Sequence, residues 1–144
     1  MATMTLSDLS KKMADIDFCM LVTQGREAAL TSRPMSNNGD VEYDGDSWFF
    51  AYEDSAKIPQ IEANPDVTLT FAGAGGLLGG PGIFLSAEGT AEIIRDKAAF
   101  EKHWVKDLDR WFDQGVDTPG LVLIKAHADH LHYWDGEDQG EVAI

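Results

Sequence analysis

The sequence predicts a mainly β protein with peripheral helices, an antiparallel barrel or sandwich carrying helices at its ends, and three observations support this. Apolar or alternating runs of strand length recur along the chain, at 18–23, 28–35, 48–52, 67–72, 83–94, 121–126 and 131–134. Only three segments show helical spacing, and all three are brief. Between the runs stand clusters of Gly, Asn, Asp and Pro, the residues that turns require. No repeat, linker or charge block divides the 144 residues, so a single domain over 1–144 with one core is expected.

Leu6, Leu9, Met13 and Ile16 recur at helical spacing, with Thr5 or Ser7 available as a cap. The dense apolar run 18–23 reads as a buried strand, with 28–35 as its hairpin partner through Gly25-Arg26-Glu27. Residues 37–40 and Asp44-Gly45-Asp46 form turns by composition, the second leading into the aromatic strand 48–52. A short helix over 55–63 is closed by Asn64-Pro65. In strand 67–72, Val67, Leu69 and Phe71 alternate with residues of the opposite face. The glycine-rich stretch 73–82 lacks the lysine and hydroxyl residue of a phosphate loop, and no helix pattern follows it, so it reads as a hairpin connection. The long strand 83–94 contains Gly89, which suggests a bulge. Asp96 caps the clearest helix, with Phe100, Trp104, Leu108 and Trp111 on one face and Gly115 as its stop. Strands 121–126 and 131–134 precede an acidic tail.

Net charge is −14, from 25 acidic and 11 basic side chains. Such a surface repels phosphodiester backbones and anionic membrane, so neither nucleic acid nor lipid is an expected partner. No apolar run approaches the ~20 residues needed to cross a bilayer, and the N-terminus lacks the pattern of a secretory signal. A lone cysteine, Cys19, fits a reducing cytoplasm and reads as a small buried hydrophobe within its strand.

In so acidic a chain, each cation near a pocket is informative. Arg33 stands directly before Pro34, which biases Ser32 and Arg33 toward extended backbone and cannot donate to a sheet ladder, leaving a strand edge open to a ligand. In Asp54-Ser55-Ala56-Lys57, Ser55 can cap the following helix. Lys57 in its first turn is poorly placed for the helix dipole but well placed for a bound anion. On a strand, Trp48 and Phe50 face one side and Phe49 the other, so at least one face must be core. Two isolated cations, an aromatic surface and a helix start suit a flat, phosphorylated aromatic ligand. His130 and His132 share a strand face, but a metal centre needs three or four converging ligands, and no metal site is expected. No catalytic acid, base or nucleophile stands out.

Taken in order and spacing, Thr31-Ser32-Arg33-Pro34-Met35, the segment 48–57, Trp111-Phe112 with Gly115, Asp117 and Pro119, and the closing Tyr133-Trp134 resemble the flavin-binding split barrels of the pyridoxamine 5'-phosphate oxidase superfamily. The general stress proteins 26 are the branch most similar. The resemblance implies a six-stranded antiparallel split β-barrel forming a homodimer, with flavin mononucleotide (FMN) near the interface. It implies that Arg33, Pro34 and Met35 run along the flavin, with Met35 offering backbone contact to the pyrimidine ring. It sets Phe49, Phe50 and Ala51 beside the cofactor, has Ser55 and Lys57 hold its phosphate, and brings Trp134 from the other subunit. Three departures stand out: Ala51 where members often carry a hydroxyl, Ala56 where the pyridoxamine oxidases add an arginine, and Pro59 early in the helix. The implied activity is flavin-dependent oxidation and reduction of an unidentified substrate. A flavin-binding module without turnover, or a barrel taking haem or the deazaflavin F420, are the alternatives.

Overall fold

The computed structural model describes residues 4–39, 41–75 and 82–144. Helix α1 spans Leu6–Met13. It opens on a reciprocal cap in which the Thr5 hydroxyl accepts from the Asp8 amide at 3.1 Å and the Asp8 carboxylate accepts from the Thr5 amide at 2.9 Å. Its Leu9 and Met13 are buried. Strands β1 (Phe18–Gln24) and β2 (Leu30–Ser36) form the expected hairpin. The second strand starts two residues later than the sequence suggests, because Glu27 and Ala28 take left-handed backbone in the turn.

The remaining elements are β3 (Asp46–Tyr52), α2 (Lys57–Ala63), β4 (Asp66–Ala72), β5 (Phe84–Ile94), α3 (Lys97–His103), β6 (Leu121–Asp135) and β7 (Asp138–Ala143). All pairings are antiparallel, in the order β2-β1-β4-β5-β6-β3. The six strands curl into a half-barrel, and β7 pairs with β6 off that path. The expected antiparallel split barrel is therefore present. The acidic tail adds a seventh strand through a tight turn at Gly136, whose φ is +65°. The glycine-rich connection joins paired strands, as a hairpin should, with Gly73 bonded to Ile83 at 2.7 Å. Residues 76–81 of that connection, and Asp40 of the earlier turn, lie outside the described residues.

Period-two alternation turns Cys19, Leu21 and Thr23 of β1 toward the interior with Leu69, Phe71, Leu85, Ala87, Leu131 and Tyr133. Helix α2 closes one end of this core with Ile58 and Ile61. A second cluster, on the other face of β3 and β6, gathers Phe50, Phe100, Phe112, Leu121 and Leu123.

Two expectations are corrected here. The helix after Asp96 ends at His103, and Trp104 is extended at ψ 134°. The break lets the His103 ring stack on Trp48 at 3.6 Å while Trp104 packs edge-on against Phe50 at 4.9 Å, an arrangement a continuous helix would not allow. Phe112, not Trp111, is then the buried ring. Secondly, 121–126 and 131–134 are one fifteen-residue strand. The bulge expected at Gly89 lies instead in β6: Glu88 pairs with His130 and Gly89 with Ala128, so Asp129 is the extra residue, and β6 runs on through it without breaking.

Candidate functional site

The site forms where α2 meets the open edge of the β1–β2 hairpin. Arg33 pairs with Leu21 across the ladder and so points to the interior side of the sheet, beneath α2. Its guanidinium donates through Nη1 to the Leu21 carbonyl at 3.1 Å and the Thr23 hydroxyl at 2.8 Å. Through Nη2 it donates to the Thr31 hydroxyl at 2.9 Å and the Gln60 amide oxygen at 3.1 Å. All four acceptors are uncharged.

Lys57 is the first residue of α2, half-buried beside this group. Burial, then the charge of Arg33, presses its ammonium below the usual lysine range. Burial likewise lowers the Arg33 pKa. Lys12, Arg95, Lys97 and Arg110 each sit beside a carboxylate. Among the described residues Arg33 and Lys57 have no such partner; Lys11, Arg26, Lys102, Lys106 and Lys125 lack one too, but Arg33 and Lys57 are partly buried and close enough for the charge of one to act on the other. Two neighbouring, partly buried cations without a counter-ion, in a chain of net charge −14, are a candidate anion site.

Other expected residues fall elsewhere. The Ser55 hydroxyl donates to the Tyr52 carbonyl at 2.8 Å and does not cap α2, whose preceding residue Ala56 offers no side-chain bond. Pro59 falls at the third helical position, where an amide would have no partner within the helix, so its missing N–H costs nothing there. The alternation set by the Gly25–Ala29 and Asn37–Asp17 hydrogen bonds commits the N–H and C=O of Arg33 and Met35 to β1. The open edge of β2 therefore presents the backbone of Ser32, Pro34 and Ser36, so a backbone contact from Met35 gives way to its neighbours. Pro34 loses no ladder bond.

Phe49 and Ala51 are buried in the main core and Phe50 in the second cluster, so all three side chains pack within the subunit. Trp134 lies on the outward face of β6, opposite Phe84, and is 43% exposed. With Phe18, Met20, Thr70 and Phe84 it lines a groove of about 410 Å3. In this subunit Trp134 is not brought to Arg33. Cys19 is buried, and its thiol is pushed up to about 12, which makes it inert as a nucleophile. Among the described residues no group of three or more His, Cys, Asp or Glu converges as metal ligands, and no helix is long and apolar enough to cross a membrane. His130 and His132 lie 3.7 and 3.6 Å from Glu141 and Glu88.

Thr23, Thr31 and Gln60 were not apparent as site residues from sequence. A signal existed: Thr23 and Thr31 share the inward face of the hairpin, and Gln60 follows Lys57 by three residues, on the same side of the helix.

The sequence matches the family described as pyridoxamine 5'-phosphate oxidase like over residues 5–144. A curated relative, protein bli-3 of Neurospora crassa, is 26% identical over 137 residues covering 89% of this chain, and the chain spans 63% of that relative's length. Among solved structures, a protein related to general stress protein 26 from Clostridium acetobutylicum superposes with TM-score 0.79 at 18% identity, covering 96% of this chain and 94% of the other. A general stress FMN/FAD binding protein from Xanthomonas citri gives TM-score 0.75 at 25% identity over 96% and 94%. A haem binding protein from Mycobacterium smegmatis gives 0.77 at 9% identity over 99% and 60%, a likeness of fold alone.

Proposed function

The chain belongs to the pyridoxamine 5'-phosphate oxidase-like family, and on that basis we propose that it binds a flavin, FMN in particular, with Arg33 and Lys57 addressing the phosphate. The observation that carries this reading is the unpaired Arg33–Lys57 cation pair in an otherwise acidic protein. The Xanthomonas citri relative, described as binding FMN or FAD, supports a flavin as the ring system. The same fold in a haem binding protein means that fold alone does not select the ligand; the Arg33–Lys57 pair supports an anionic, phosphate-bearing one.

Bound FMN supplies two-electron chemistry, and the proposed activity is hydride exchange with a small substrate. The protein's part is to hold and orient. Lys57 offers three free ammonium donors to phosphate oxygens, and Arg33 adds a second fixed positive charge. The open edge of β2 offers the Ser32 and Ser36 backbone groups to the polar rim of a planar ring. The partner we propose is a second copy of the chain, covering the outward groove that Phe18, Met20, Phe84 and Trp134 leave exposed. The absorbance spectrum of freshly purified protein tests the ligand class, because flavin, deazaflavin and haem differ in band shape. A flavin spectrum bleached by NADH or NADPH is expected. A haem spectrum, or reconstitution with haem but not with FMN, would overturn the reading.

A further inference from the structure

The Gln60 amide oxygen accepts three bonds at once: from Thr23 at 2.7 Å, Thr31 at 3.0 Å and Arg33 at 3.1 Å. The two hydroxyls also lie 3.2 Å from each other, so the arrangement in which both donate to Gln60 leaves that mutual contact without a proton. A threonine hydroxyl has one proton, so when Thr23 and Thr31 both donate to Gln60, their lone pairs face the Arg33 guanidinium. Thr23 is 1% exposed, so its hydroxyl depends on this arrangement. Four of the five guanidinium donors are thereby held by oxygens that carry no charge.

A carboxylate at position 60 would hold the arginine at least as firmly, but would cancel one of the two positive charges. An amide gives the geometry without the cancellation. Gln60 also lies on α2 three residues after Lys57, so one side chain ties the helix bearing one cation to the strand bearing the other.

We propose that Gln60 is the positioning residue of the anion site: with Thr23 and Thr31 it clamps Arg33 through neutral oxygens, keeping a two-cation site open for the dianionic phosphate of a phosphate monoester. The inference rests on the FMN reading above. It assigns Gln60 no contact with the ligand; it acts through Arg33.

The test is fluorescence titration of FMN and riboflavin, at fixed ionic strength and neutral pH, against wild-type protein and the Gln60→Glu variant. The expected result is that Gln60→Glu lowers the FMN-to-riboflavin affinity ratio at least tenfold, leaves riboflavin affinity within about twofold, and does not lower the melting temperature. A variant that keeps the wild-type ratio overturns the proposal, and so does equal loss of both ligands, which marks a structural role. Should Gln60→Glu fail to fold, Thr31→Val, which removes one clamp oxygen at an exposed position, decides the matter. It should reduce the ratio severalfold, and an unchanged ratio overturns the clamp. A wild-type ratio near one would instead defeat the underlying phosphate reading, so the two failures are distinguishable.

Discussion

Lys57 carries a cost in the ligand-free protein. Its ammonium is half-buried and faces Arg33, so its pKa falls below the ordinary 10.5. A base whose pKa is lowered on folding is destabilising while protonated; the penalty is full below the folded-state pKa and fades as pH rises toward the unfolded value. Lys57→Met should therefore leave ligand-free stability at pH 7 unchanged or raised, with the gain vanishing above about pH 10.5. Denaturant midpoints at the two pH values check this, and a marked loss at pH 7 would show that Lys57 is not under strain. The same variant should weaken FMN by roughly tenfold or more, the scale of one charge-assisted hydrogen bond, while riboflavin binding stays nearly unchanged. Residue by residue, the two cations were legible because charge is visible in a sequence and acidic surroundings make it conspicuous. The expected Ser55 cap does not form because a hydroxyl before a helix has two uses, and here it donates to the Tyr52 carbonyl instead of accepting from a helix amide.

Helix α2 is seven residues long and stays in place through tertiary contacts, as so short a helix must. Ile58 and Ile61 anchor it to the core. Arg95 at the end of β5 reaches both Glu53 before the helix and Glu62 within it, at 2.6 and 3.1 Å. Gly89 of β5, opposite the bulge in β6, is the other feature that fixes geometry. A Cβ on Gly89 would overlap the carbonyl oxygen of His127, a backbone atom that cannot swing away. Gly89→Ala should thus destabilise by about 2 kcal/mol or more, on the scale of overpacking, read from urea denaturation. A loss under about 0.5 kcal/mol would mean the ladder shifts freely there. Elements with clean periodicity were legible: α1, β1, β4 and β5 lie where their apolar spacing puts them. The helix after Asp96 and the split within β6 were not, because both are settled by long-range partners. Trp48 and Phe50 take the rings that a longer helix would have carried, and β6 runs on past Gly89 through its own bulge at Asp129.

At the scale of the molecule, the proposed assembly rests on the outward sheet face. Phe18 is 57% exposed and Phe84 46%, and with Met20 and Trp134 they line one outward groove that crosses β1, β4, β5 and β6, with Thr70 and Ala72 of β4 between them. Water contact with that surface is relieved when a second copy covers it. Light scattering at micromolar concentration should give the mass of a dimer, and Phe84→Glu should shift it toward the monomer; a wild-type monomer with flavin bound would contradict the assembly proposed here. Salt should weaken FMN more than riboflavin, because only the phosphate contact is ionic. The barrel architecture was legible because strand lengths and turn residues are local. The anion site was half legible: its charges could be read in sequence, but the neutral clamp beneath them depends on Thr23, Thr31 and Gln60 meeting from three elements.

The most direct measurement is the ratio of FMN to riboflavin affinity for the wild-type chain, by fluorescence titration at low and physiological salt. If Arg33 and Lys57 form a phosphate site, FMN binds at least tenfold more tightly, and the ratio narrows as salt rises. Equal affinities at both salt concentrations would show that the cation pair does not recognise phosphate.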